Sequence, residues 1–191
     1  MKGINLMGNR ISLSPVLAKD AECLVGFYNE VRNFIRVAES GAMTLAEEKD
    51  FIRDANRAED KYFFAIRLNS TSEIIGTISV FDISRGSDVA ETGTMIGLDY
   101  VGKGYGSEAK HLMLDWAFNR MGLRRIYSRV FSFNERSLEY TKNCGYKHEA
   151  TKTNIGSRKG RSFNEEVFFI TQKLWEPTFK KYAETFDKKY Q

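Results

Sequence analysis

Residues 101–118 read VGKGYGSEAKHLMLDWAF, and the period of the chain changes inside that stretch. Gly102, Gly104 and Gly106 alternate with other residues. Ala109, Leu112, Met113, Trp116 and Ala117 then recur as the apolar stripe of one helix. Upstream, YFFAIRL (62–68), IIGTISVFDI (74–83) and AETGTMIGLDY (90–100) are strand-like runs joined by the short polar turns NSTSE and SRGSDV. The glycines therefore mark a strand-to-helix junction that follows an antiparallel meander.

The same reading extends outward. RISLSPV (10–16) alternates like a short strand that Pro15 closes. A helix is predicted over 18–34, with Leu24, Phe27, Val31 and Phe34 on one face. Thr44 followed by Glu47 forms a capping box for a second helix running to about residue 56. Beyond the glycines, RRIYSRVF (124–131) is a strand, and Asn134 caps a helix that ends near Gly145. YKHEATK and FNEEVFFITQKL (163–174) are later strands, split by a polar loop TNIGSRKGRS. This order predicts an α/β (α+β) fold: a mixed, mainly antiparallel central sheet flanked by helices, as one domain over 1–174. Trp175, Phe179, Tyr182, Phe186 and Tyr190 have helical spacing. An amphipathic helical extension over 175–191 is expected, docked on the domain or on a partner subunit.

Composition bounds the function. The chain has 191 residues, 42% apolar and 28% charged, which suits one soluble globular domain with a core. A formal charge of +4 admits an anionic ligand without requiring nucleic acid, and no long Lys/Arg block appears. Cys23 and Cys144 make neither a disulfide framework nor a zinc pattern, and His111 and His148 are too isolated for a metal site. No apolar stretch is long enough to span a bilayer, and MKGINLMGNR lacks a signal-peptide core. A cytoplasmic, reducing location is the expectation.

Alternating glycines supply unobstructed backbone and positive φ at low cost. Successive amides can then form an anion nest, to which the helix adds its free N–H groups and positive end. A phosphate or pyrophosphate is the expected ligand, with Lys103 at the rim. A P-loop is absent. The dinucleotide fingerprint fails at Ser107 when started from Gly102, and started from Gly104 it fits only the looser form ending in Ala109. The region about 20 residues on, GLRRIYSRVF, is basic where an acidic residue is wanted. The structural alternative is a tight turn that lets strand and helix pack closely.

VGKGYGSEA resembles the acetyl-CoA pyrophosphate loop of the GNAT superfamily of N-acetyltransferases, whose usual form is Arg/Gln-x-x-Gly-x-Gly/Ala. Gly104 and Gly106 match, and Val101 stands where Arg or Gln is usual. RIYSRVFSFNERSLEYTKNCGYK is similar to the family segment that opens on Asn134, Glu135 and Ser137 and closes on Gly145 and Tyr146. LVGFYNEVRNFIRV, TLAEEKDFI and FNEEVFFITQKLWEP resemble the Rim-like, ribosomal-protein branch. The resemblance covers about residues 10–176.

It implies a splay between the fourth and fifth strands, with the pantetheine arm of coenzyme A along Thr94, Met95, Ile96 and Gly97. Gly97 would let the arm approach. The pyrophosphate would rest on Val101, Gly102, Lys103, Gly104, Tyr105, Gly106 and Ser107, with Asn134 and Ser137 as further cofactor contacts. The implied reaction is direct transfer of the acetyl group to a primary amine, on a peptide or protein N-terminus or a small molecule. Glu91 is the candidate base, with Asp88 next. The family often places a tyrosine where this chain has Thr141, so Tyr140, one residue away and rotated by about 100°, is the candidate leaving-group acid. Arg32, Arg36, Glu39 and Arg161 are candidate acceptor contacts. No membrane or direct nucleic-acid partner is expected, and the chain would act as a monomer or homodimer. Val101 and Thr141 motivate an alternative, a catalytically impaired CoA-binding regulatory module; the mild positive charge motivates a third, an RNA- or ribosome-associated protein.

Overall fold

The computed structural model describes residues 3–35, 42–84, 86–158 and 160–190. The strands are β1 (Leu6–Met7), β2 (Ile11–Pro15), β3 (Tyr62–Leu68), β4 (Ile74–Ser84), β5 (Val89–Ile96), β6 (Arg125–Phe131), β7 (Lys147–Arg158) and β8 (Arg161–Ile170). The helices are α1 (Ala21–Ile35), α2 (Leu45–Arg57), α3 (Tyr105–Asn119), α4 (Glu135–Asn143) and α5 (Gln172–Tyr190). One sheet runs β1-β2-β3-β4-β5-β6-β8-β7, so the expected mixed sheet with flanking helices is what forms.

Every neighbouring pair is antiparallel except β5 and β6, which α3 connects. A parallel pair needs such a crossover. Their ladder holds only from Val89–Arg125 to Glu91–Tyr127. Beyond it β5 stays paired with β4 as far as Ile96, while β6 continues along β8. This is the expected splay; the pair is fifth and sixth here because Leu6–Met7 adds a strand. One sheet face packs Leu13, Phe64, Ile78, Ala90 and Ile126 against Met113, Leu114, Trp116 and Ala117 of α3. The other packs Ala65 and Ile74 against Leu24 of α1 and Ile52 of α2. Alternation along each strand divides these sets.

The capping box forms as the spacing predicts: Glu47 N donates to Thr44 Oγ1 at 3.3 Å, and Thr44 N donates to the Glu47 carboxylate at 2.8 Å. The polar stretch at 153–162 is a correction. It is mostly strand, because β7 reaches Arg158 and β8 begins at Arg161. β7 is the sheet edge, and residues 153–155 and 157 there are exposed, so burial imposes no apolar alternation on them. A second correction concerns QKL, which belongs to α5; the Thr171 carbonyl accepts the Leu174 and Trp175 amides.

α5 docks on α3. Trp175 is buried and its Nε1 donates to His111 Nδ1 at 3.2 Å, while the Phe179 ring stacks on Trp175. Burial, reinforced by the neighbouring Lys110 charge, pushes His111 down to about 4. The unfolded chain takes up this proton below about pH 6.5 and the folded chain only near pH 4. Stability from this site is therefore complete above pH 6.5 and is lost as pH falls through that window, by roughly 3 kcal/mol. Urea titrations of wild type and His111→Gln at several pH values check this: the variant's stability should fall less steeply between pH 6.5 and 4.

Candidate active site

The glycine loop has the backbone that its sequence requires. Gly102 has φ +78° and Gly104, the N-cap of α3, has φ +82°, both left-handed. A Cβ there is strained, which is why glycine recurs. The loop and the first turn of α3 border a cavity of about 360 Å³ opening into the splay, a size typical of small-molecule sites. Thr94, Met95 and Ile96 of β5 line one side and Asn134, Ser137 and Tyr140 of the α4 region the other; Val101, Gly102, Gly104, Tyr105, Gly106 and Ser107 complete it. The first amides of a helix lack intrahelical acceptors, so this end of the cavity suits an anion. The fold thus gathers segments around 94, 104 and 134 that are distant in sequence.

Two of the expected cofactor residues are placed differently. Lys103 lies outside the lining; its carbonyl accepts a hydrogen bond and its Nζ sits 5.6 Å from the centre of the Tyr100 ring. Gly97 also lies outside it, and a Cβ there would stand 2.7 Å from the Phe27 ring. Close packing of Phe27 from α1 by itself requires glycine at 97. The cavity adds Tyr100, Arg136, Glu139 and Asn143 to the sequence reading. Arg136 was legible as the cation inside the Asn-Glu-Arg-Ser motif; the others carry no local signal.

The brace absent at Val101 arrives from elsewhere. Arg10 donates from Nη1 to the Lys103 carbonyl at 2.9 Å and from Nε to Glu108 at 2.9 Å. Its guanidinium lies over the Tyr105 ring at 4.7 Å. The buried Glu108 carboxylate also accepts the backbone N–H groups of Arg10 and Ile11. The entry to β2 is thereby tied to both the loop and α3.

Tyr140 lines the cavity, whereas Thr141 faces the core. The Tyr140 hydroxyl donates to the Gly106 carbonyl at 3.0 Å and lies 3.3 Å from Thr94 Oγ1; burial holds the phenol well above its ordinary value. Asn134 caps α4 by accepting the Ser137 amide at 3.3 Å. Cys144 is buried, and burial pushes its thiol up to about 11, so it is no nucleophile.

Glu91 lies outside the cavity lining, on the β5 face opposite Thr92. Both its oxygens accept from Arg129, at 2.6–2.8 Å, and Arg129 also reaches Glu165 at 3.4 Å. Asp88 sits on the turn before β5, 3.5 Å from Arg124. Arg161 is exposed at the start of β8, away from the cavity lining. Arg32 falls within α1, its side chain among those not described, and Arg36 and Glu39 lie outside the described residues. Among the described residues no cluster of His, Cys, Asp and Glu is placed to hold a metal ion, and no helix is long and apolar enough to cross a membrane.

Residues 10–147 match the family described as the acetyltransferase (GNAT) domain, and the chain belongs to that family. The probable N-acetyltransferase YjcK of Bacillus subtilis is 30% identical over 75% of this chain and 84% of its own. The uncharacterized N-acetyltransferase p20 of Bacillus licheniformis is 25% identical over 88% of this chain and 96% of its own. Among solved structures, a candidate ribosomal-protein-serine acetyltransferase of Vibrio cholerae superposes with a TM-score of 0.74 at 22% identity, over 88% of this chain and 97% of its own. The spermidine N-acetyltransferase of Vibrio cholerae, solved with CoA and spermine, has a TM-score of 0.78 at 18% identity, covering 88% and 99%. Both structures share this fold. The chain is an acyl-CoA-dependent acetyltransferase.

Proposed function

We propose that the enzyme transfers the acetyl group of acetyl-CoA to a primary amine by direct attack, within the splay between β5 and β6. One observation carries this reading: the left-handed glycine cap of α3 and the part of β5 that β6 leaves unpaired border a single cavity. A pyrophosphate suits the amides of 102–107, and an extended amide-bearing arm suits the backbone of Thr94 to Ile96. Asn134, Arg136 and Ser137 close the opposite wall. Acetyl-CoA supplies an activated thioester. A side-chain amine with a pKa of about 10, or an α-amine of about 8, must shed a proton before or during attack.

Glu91 is the proposed proton acceptor, reached through a water, with its carboxylate oriented by Arg129. The cavity-lining phenol of Tyr140 is the proposed donor to the leaving sulfur. A peptide N-terminus or a small amine is the proposed acceptor class, supported by a relative solved with spermine and by another described as acting on a ribosomal protein. We place the enzyme in the cytoplasm; its two cysteines, both free, suit a reducing compartment.

Thiol release from acetyl-CoA, measured across peptides, polyamines, aminoglycosides and amino acids, tests the reading. Release above the hydrolysis blank with one of these classes is expected. Tight CoA binding with no release for any acceptor would instead identify an impaired CoA-binding module. Glu91→Gln should lower turnover about a hundredfold, the usual scale of general-base catalysis, while acetyl-CoA affinity stays near wild type. A pH–rate profile indistinguishable from wild type would remove Glu91 from the chemistry.

A further inference from the structure

Lys110, in the second turn of α3, is only 2% exposed. Its Nζ donates to Thr92 Oγ1 at 2.9 Å and lies 5.5 Å from the Tyr146 ring centre and 5.9 Å from that of Tyr140. No carboxylate among the described residues pairs with it. The titratable groups around it are the thiol of Cys144, the phenols of Tyr140 and Tyr146, and His111 beside it on α3. A buried charge without a counter-ion destabilises a fold. Burial pushes the ammonium down to about 8, so the cation still predominates at neutral pH.

Its hydrogen bond alone does not explain the lysine. Thr92 Oγ1 already donates to the Tyr127 carbonyl at 3.3 Å and shares a hydrogen bond with the Tyr146 hydroxyl at 3.2 Å. The position is more informative. Glu91–Tyr127 is the last β5–β6 pair, so Thr92 is the first residue of β5 at the apex of the splay. Thr94, two residues on along the same face, lines the cavity and contacts Tyr140. The ammonium thus lies between Thr92 and the cavity-lining Tyr140, near the point where the strands part.

We propose that Lys110 is a positioning residue for acetyl transfer, whose buried ammonium sets a positive potential at the apex of the splay where the sulfur of CoA becomes negative. The inference rests on the acetyl-CoA reading of the cavity. In the transfer the acetyl carbon bonds to the amine nitrogen, which gives up one proton to Glu91 through a water, and the electron pair of the breaking C–S bond goes to sulfur, which then takes a proton from Tyr140. Lys110 donates no proton; it acts by its field through Thr92 and the Tyr140 ring, across a medium of low dielectric.

The test uses CoA itself, with its thiol followed by ultraviolet thiolate absorbance against pH and desulfo-CoA as the blank. At pH 7, where Lys110 keeps its proton, the thiolate-to-thiol ratio of CoA bound to wild type should exceed that of CoA bound to Lys110→Met about tenfold, the equivalent of one pH unit. The variant should melt at a higher temperature, and its kcat should fall about tenfold with little change in KM for acetyl-CoA. Lys110→Gln, which keeps a donor for Thr92 without the charge, should reproduce the thiol shift and guards against misfolding of the methionine variant. Equal thiol ionisation in all three proteins overturns the role of Lys110. Failure of wild type to bind CoA overturns the acetyl-CoA reading, and this proposal with it.

Discussion

Gly104→Asp should lose acetyl-CoA binding by at least about a hundredfold, some 2.7 kcal/mol, while remaining folded. Gly104 holds φ +82° as the N-cap of α3, and the Arg10 guanidinium already lies 3.2 Å from where a Cβ would stand. A non-glycine residue in this left-handed conformation costs about 1–2 kcal/mol. The larger effect is electrostatic: an aspartate sets its carboxylate at the helix N-terminus, where it takes the donors meant for the ligand's phosphates and attracts Arg10. Gly104→Ala separates the two effects, because it brings the strain without the charge and should lose far less affinity. Calorimetry with CoA, together with a melting curve for each variant, checks this. Wild-type affinity in a folded Gly104→Asp protein would sink the pyrophosphate assignment.

The second large effect is expected at Glu108. Its buried carboxylate accepts two backbone amides and the Arg10 guanidinium, joining β2 to α3. Glu108→Ala strands all three donors, and breaking a buried pair in this way costs about 3–5 kcal/mol. For a chain of this size that lowers the melting temperature by about 10 °C. Arg10→Ala is the informative comparison. It should destabilise less, because Glu108 keeps both amides, yet weaken CoA about tenfold by freeing the Lys103 carbonyl and loosening the loop. Acetyl-pantetheine, which lacks the pyrophosphate, should bind both wild type and Arg10→Ala alike. A loss of affinity equal for both ligands would show that Arg10 acts on the fold as a whole instead of on the phosphate loop.

Much of the site was legible because its elements are local. The glycines, the helical period that follows them and the Thr44–Glu47 capping box need only residues a few positions apart, and backbone geometry fixes what such spacings can do. The second half of the edge strand β7, residues 153–158, reads as a loop for the complementary reason. A strand exposed at its sheet edge and along its polar face carries no burial pattern to read. The register of α4 shows the limit within a single helix. Spacing alone left Tyr140 one residue from the familiar position, and only packing decided that Tyr140 faces the cavity and Thr141 the core.

By itself, then, the sequence determined the main order of strands and helices, the glycine loop at the start of α3 and the family to which these belong, since each is written in short-range spacing. Tertiary structure alone decided that Arg10 braces the loop that Val101 does not, that Phe27 requires Gly97, that Arg129 holds Glu91, and that Lys110 is buried where the strands part. Those pairs lie tens of residues apart along the chain, or depend on which side of the sheet a helix covers. Hydrogen bonds and close packing act over a few ångströms, so such contacts exist only once the chain has folded.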